Sequence, residues 1–101
     1  MEIKDIGKNE FFQMIERLKD FSRELIIWEP VAYQLDIDIE EIKASTRSLL
    51  QIMQIVDRQI EADPDNEAVK KQCSSFYEMG KEICTKIKEL HGQLEDRSDR
   101  H

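Results

Sequence analysis

Residues 38–66 read DIEEIKASTRSLLQIMQIVDRQIEADPDN, and their periodicity decides the fold. Ile39, Ile42, Thr46, Leu49, Met53, Val56 and Ile60 recur three or four positions apart. That spacing stacks side chains on one face of an α-helix. Asp38 and Glu41 have the spacing of a capping box, with Asp in place of the usual Ser or Thr. Asp63-Pro64-Asp65-Asn66 is a short turn that stops the helix near Ala62. The stretch predicts a helix over about residues 39–61.

Working outward, the next segment keeps the same rhythm. Val69, Cys73, Phe76, Gly80, Ile83, Ile87, Leu90 and Leu94 form a stripe, predicting a helix over about 65–94. Asp63 or Asn66 caps it, and Pro64 suits its first turn. Gly80 costs roughly 1 kcal/mol against Ala in a helix interior; on the packing side it lets a neighbouring backbone approach closely. Gly92 either ends the helix or loosens it, and residues 95–101 read as a frayed polar tail. On the other side, Phe11, Met14, Leu18, Phe21, Leu25 and Trp28 make a third stripe, predicting a helix over about 10–28 with Asn9 as its cap. Pro30 lacks an N–H and disfavours helical geometry at Glu29, so it should end the helix. Residues 29–37, EPVAYQLDI, are then a short apolar linker packed over the bundle end. Residues 1–8 form an arm that carries Ile3 and Ile6.

Short connections make consecutive helices antiparallel neighbours. The prediction is all-α: one domain over 1–101, an antiparallel up-down-up three-helix bundle. At about 1.5 Å per residue the three helices span roughly 28, 35 and 45 Å. The overhang of the third meets either the 29–37 linker or another chain.

Composition narrows the function classes. The 101 residues hold 22 Asp and Glu against 15 Lys and Arg, a net charge of −7. An acidic surface argues against direct binding to nucleic acid or anionic lipid, both of which attract positive charge. No apolar run approaches the roughly 20 residues of a membrane-spanning helix, and MEIKDIGKNE lacks the basic and apolar regions of a signal peptide. A soluble cytoplasmic protein is expected.

Two regions are more apolar than a small bundle needs. In the central segment Leu50, Ile52 and Ile55 lie off the main stripe, so this helix must be covered on more than one side. Either it sits in the groove between the other two helices, or Ile52 and Ile55 meet a second subunit. The first helix ends in Leu25-Ile26-Ile27-Trp28, with Val31, Tyr33 and Leu35 following. Five of the seven aromatic residues fall within the first 33 positions. Trp28 either plugs the bundle end as core or, with Ile27 and Tyr33, lines a binding groove.

Chemistry is harder to place. With glycines only at 7, 80 and 92, no phosphate-cradling loop can form. The histidines, His91 and His101, lie near the C-terminus without the partners a zinc site needs. Cys73 and Cys84, about three turns apart on one helix, cannot pair with each other; they read as small buried hydrophobes of a reducing compartment. Acids cluster at Asp36, Asp38, Glu40 and Glu41, and again at Asp57, Glu61, Asp63, Asp65 and Glu67. Helix-start stabilisation explains several of them. The two clusters occupy opposite ends of the central helix, where they offer a basic partner two docking points.

The expected function is therefore non-enzymatic, with no cofactor, metal or catalytic residue. It is a small acidic helical adaptor, inhibitor or chaperone-like subunit that binds another protein and forms a homodimer, through the central helix or the overhang of the third. The interaction candidates are Leu50, Ile52, Ile55, Ile27, Trp28, Tyr33, Asp36, Asp57, Glu61 and Asp63. The alternative is a bundle that binds a small apolar ligand near Trp28 and Tyr33.

Overall fold

The computed structural model describes residues 7–99. The chain forms α1 (Lys8–Gln34), α2 (Glu40–Ala62) and α3 (Glu67–Asp99). Each helix packs against both others, so the three-helix bundle read from the periodicity is the observed architecture. Its longest dimension is 54 Å, close to the roughly 50 Å that a 33-residue helix spans.

The stripes become the core. Leu18, Leu25, Met53 and Ile87 are fully buried, and Phe11, Met14, Ile15, Leu49, Val56, Val69, Cys73 and Cys84 extend the main cluster. Thr46 is fully buried too; its hydroxyl donates to the Ile42 carbonyl at 2.7 Å, so a polar side chain sits on the stripe without an orphaned group. Gly80 is buried on the inner side of α3, and a Cβ there would lie 2.9 Å from Met14 Cγ. The close neighbour is thus the Met14 side chain, not the backbone expected from sequence. Gly92 lies inside α3 with nothing near its Cβ position, and the helix runs through it.

Several boundaries differ from the sequence reading. Helix α1 begins at Lys8, with Gly7 rather than Asn9 at its cap. It also runs through Pro30 to Gln34, so most of the 29–37 linker is helix. A proline removes one helical hydrogen bond and crowds the carbonyl four residues back. Here that carbonyl belongs to Ile26, and both Ile26 and Pro30 face solvent, where water can satisfy the freed oxygen. On the opposite side Ala32 is buried with Ile39 and Leu94, and Trp28, Leu35, Ile37 and Leu90 pack around them. Burial of this second cluster offsets the local cost and holds the helix together past the proline.

The reversal after α1 is a Schellman motif. Ile37 N–H donates to the Ala32 carbonyl at 2.8 Å, and Asp36 N–H to the Tyr33 carbonyl at 3.2 Å. Asp36 takes the left-handed conformation, φ 59°, that such an ending demands and that Gly usually supplies. Ile37 then packs back onto Ala32, the apolar contact that accompanies the motif.

Helix α2 starts one residue later than predicted, because Ile39 is not helical. Asp38 Oδ1 accepts from Glu40 N–H at 2.9 Å, so its bond reaches two residues along the chain rather than the three of a capping box. Asn66 caps α3, its Oδ1 accepting from Ala68 and Val69 N–H at 3.0 and 3.3 Å; Pro64 lies in the preceding turn. The last difference is the C-terminus, where α3 continues to Asp99 instead of fraying at residue 95. Leu94 is buried, and Arg97 Nη1 donates to the Leu35 carbonyl at 3.2 Å. The overhang of α3 thus meets the end of α1 and the turn that follows it. Of the expected N-terminal arm, Gly7 and Lys8 cap and begin α1, and residues 1–6, with Ile3 and Ile6, lie outside the described residues.

Candidate protein-interaction site

With the core closed, two groups of exposed apolar side chains stand out among the described residues, apart from the single Phe12. The first is a groove between α2 and α3 on the side away from α1, with a volume of about 650 Å³. Ile42, Leu49, Phe76 and Ile83 form its floor, Ile52 and Met79 its open flanks, and Asp38, Glu41, Glu82 and Lys86 its charged border. Ile52 is 42% exposed and Met79 48%. Neither Glu41 nor Glu82 makes an ion pair among the described residues. Just beyond the groove on α2, Ile55 is 54% exposed.

The second surface is the outer side of α1 near its C-terminal end. Ile27 is 70% exposed, Tyr33 85%, and Ile26 and Val31 are exposed with them. Pro30 completes the patch, three or four residues from Ile26, Ile27 and Tyr33. Some of its bordering charges are compensated, while Glu24, one turn before Ile27, is exposed and makes no ion pair among the described residues. Arg23 pairs with Asp20 at 3.2 Å, and Lys43 of α2 holds Glu29 at 3.0 Å and Glu40 at 3.6 Å. The bond and charge from Lys43 hold the Glu29 carboxyl below its ordinary range, while Glu29 raises the Lys43 ammonium against its own desolvation.

The sequence candidates separate on this map. Leu50 packs against the main core, whereas Ile52 and Ile55 project into solvent. Groove insertion of α2 therefore accounts for Leu50 alone. Ile27 and Tyr33 lie on the α1 surface. Trp28 turns inward, its ring stacked on His91 at 4.6 Å with the planes 19° apart, and His91 Nε2 reaches Glu95 at 3.2 Å. Tyr33 instead borders a separate cleft with Glu29, Asp36 and Ile39. The two rings that were to embrace an apolar ligand thus face different neighbours.

Of the acids, Asp36 is the turn residue described above, and Asp57 is half-buried close enough to Cys73 to act on its thiol. Asp63 closes α2, its N–H donating to the Gln59 carbonyl at 2.9 Å and its carbonyl accepting from Asn66 N–H. Glu61 is exposed. Sequence reasoning missed Met79, Glu82 and Lys86. The available signal was Met79, an apolar residue one position off the α3 stripe beside Gly80.

The remaining chemistry is sparse. Cys73 and Cys84 are free and buried; burial, reinforced by Asp57, pushes the Cys73 thiol up to about 11, and burial raises Cys84 against the pull of Arg17 and Lys88. Thiols held neutral in this way are poor nucleophiles. Among the described residues, no three His, Cys, Asp or Glu side chains gather as metal ligands would, and no helix is long and apolar enough to cross a membrane. Searches of protein-family models, curated proteins and solved structures return no match. Fold and surface define an acidic all-α three-helix bundle with two exposed apolar patches.

Proposed function

We propose that this chain is a non-enzymatic protein–protein interaction module that self-associates and engages a further protein. The observation that carries the reading is the exposure of Ile27, Tyr33, Ile52, Ile55 and Met79 on a bundle whose own core is complete. Grouped apolar side chains on a free surface cost solubility unless a partner covers them. Two free, buried thiols fit a reducing, cytoplasmic setting.

The α1 surface suits the second copy. A convex stripe meets itself about a two-fold axis, residue against residue. The Arg23–Asp20 and Lys43–Glu29 pairs beside it limit like-charge repulsion between two copies. The groove, with unpaired Glu41 and Glu82, suits a different partner.

The test is mass in solution. Sedimentation equilibrium should give a dimer for the wild-type chain and a folded monomer for Ile27→Lys, with helicity unchanged by circular dichroism. Ile55→Lys should leave the dimer intact. A wild-type chain that stays monomeric at high concentration, and that captures no stoichiometric protein from its native host, would sink the reading.

A further inference from the structure

We infer that the α2–α3 groove is the docking site for a basic amphipathic helix of another protein, which lies in it as a fourth helix of the bundle. This inference rests on the interaction-module reading and names the partner's chemistry.

Shape comes first. The groove is a trough between two adjacent helices, and its α2 wall runs from Glu41 to Ile52. Over those 11 steps a helix rises about 17 Å, or roughly three turns. A trough of that length and direction is the place a fourth helix takes when a three-helix bundle is completed. Its floor is apolar, so the occupant must present a stripe at i, i+3, i+4 and i+7, the helix-in-groove mode of recognition. Met79 on the open flank adapts to the side chains it meets.

Charge then selects the occupant. Asp38 and Glu41 border the apolar floor on one side and Glu82 on the other, with Lys86, one turn from Glu82 on α3, as the one cation lining it among the described residues. Elsewhere the chain pairs several of its acids internally, as Lys43 does with Glu29 and Glu40, but Glu41 and Glu82 have no ion-pair partner among the described residues. A partner with Lys or Arg on both sides of its apolar stripe supplies the missing cations. A second copy of this chain does not suit the groove: its net charge is −7, and its approach sets carboxylate against carboxylate. The overall negative field also speeds the encounter with a basic partner.

The probe is a synthetic helical peptide of about 14 residues with Leu at i, i+3, i+4 and i+7 and Lys flanking them. Its controls are a scrambled peptide of identical composition and a twin with Glu in place of Lys. Binding to the full chain is read by fluorescence anisotropy of the labelled peptide. The patterned basic peptide should bind saturably and lose affinity as salt rises. The scrambled peptide and the Glu twin should bind at least about tenfold more weakly. Ile52→Glu and the double variant Glu41→Lys/Glu82→Lys should each cost the basic peptide about tenfold or more. The double variant should also abolish the salt dependence. All three positions are exposed, and circular dichroism confirms folding.

Equal binding of scrambled and patterned peptides overturns the inference, because attraction to bulk negative charge then explains it. Equal binding of the Glu twin, or indifference to both groove variants, overturns it as well. Loss of the wild-type dimer on Ile52→Glu would make the occupant a second copy and reject the basic helix. A chain that binds none of the peptides yet still dimerises through Ile27 refutes the groove inference alone and leaves the module reading intact.

Discussion

The α2–α3 groove and the outer face of α1 both expose isoleucine, yet they are different kinds of surface. The groove is concave, built from two helices, and bordered by Glu41 and Glu82, which make no ion pair among the described residues. The α1 face is convex, built from one helix, and two of its neighbouring charges, Arg23 and Glu29, are compensated by Asp20 and Lys43. Apolar area alone does not distinguish them. Charge is what separates them in our proposal, which gives the groove a basic partner and the α1 face a second copy. Burial makes association favourable in either case; specificity comes from what the border refuses.

The largest expected effect tests whether the α1 face is surface at all. Leu25 and Ile27 are two residues apart, one fully buried and the other 70% exposed. Leu25→Ala should cost about 2–5 kcal/mol in urea unfolding, through lost transfer energy and the cavity left behind. Ile27→Lys, measured at a concentration where the chain is monomeric, should change stability by no more than about 0.5 kcal/mol. Comparable losses from both would place Ile27 in the core and erase the α1 surface from the comparison.

A smaller effect, of opposite sign, concerns Pro30. Pro inside a helix costs about 3 kcal/mol relative to Ala, against which its stiffening of the unfolded chain returns about 0.4–1 kcal/mol. Pro30→Ala should therefore raise the urea midpoint, stabilising the chain by roughly 2 kcal/mol. An unchanged or lowered midpoint would mean that α1 ends before residue 30, and the face carrying Val31 and Tyr33 would no longer be one helical surface.

Pro30 also marks the limit of what the sequence discloses. The three stripes were legible because each repeats a local spacing many times over, and the residues on them are the buried ones. The continuation of α1 through Pro30 was not legible, since local geometry argues for a stop. What overrides it is the burial of Ala32, Trp28 and Leu35 against Ile39, Leu90 and Leu94, residues some 60 positions away along the chain for the last two. Asp36 is a similar case: its acidity attracted attention, while its role is to tolerate a positive φ where no Gly is available. The groove was half legible. Ile52 stood out as an isoleucine off its stripe, but Glu82 and Lys86 look like ordinary solvent-facing residues of α3. Only the packing of α3 beside α2 brings them to the border of one trough.

The smallest effect tests the contact that fastens the α1 face to the α2 wall. Glu29 immediately precedes Pro30 and pairs with Lys43 at 3.0 Å, where the lysine side chain retains only 16% exposure. Folding lowers the Glu29 carboxyl from its ordinary 4.5, so the native state favours the ionised form. Its stabilising contribution is therefore present above the ordinary carboxylate range and is lost as pH falls through the depressed value. Lys43 works in the other direction. Its raised pKa gives a contribution that is complete below the ordinary lysine range and disappears as pH rises through the folded value. The pair thus acts across a broad window around neutrality. Glu29→Gln should lower the melting temperature slightly at pH 7, because Lys43 keeps Glu40 at 3.6 Å and exposed pairs contribute little. The gap between wild type and variant should close in acid, as pH falls through the depressed Glu29 value and the native carboxylate takes up its proton. A gap that persists unchanged into acid would show that Glu29 acts by packing and not by charge. The fastening between the two surfaces would then be apolar, carried by Ala32, Leu35 and Ile39.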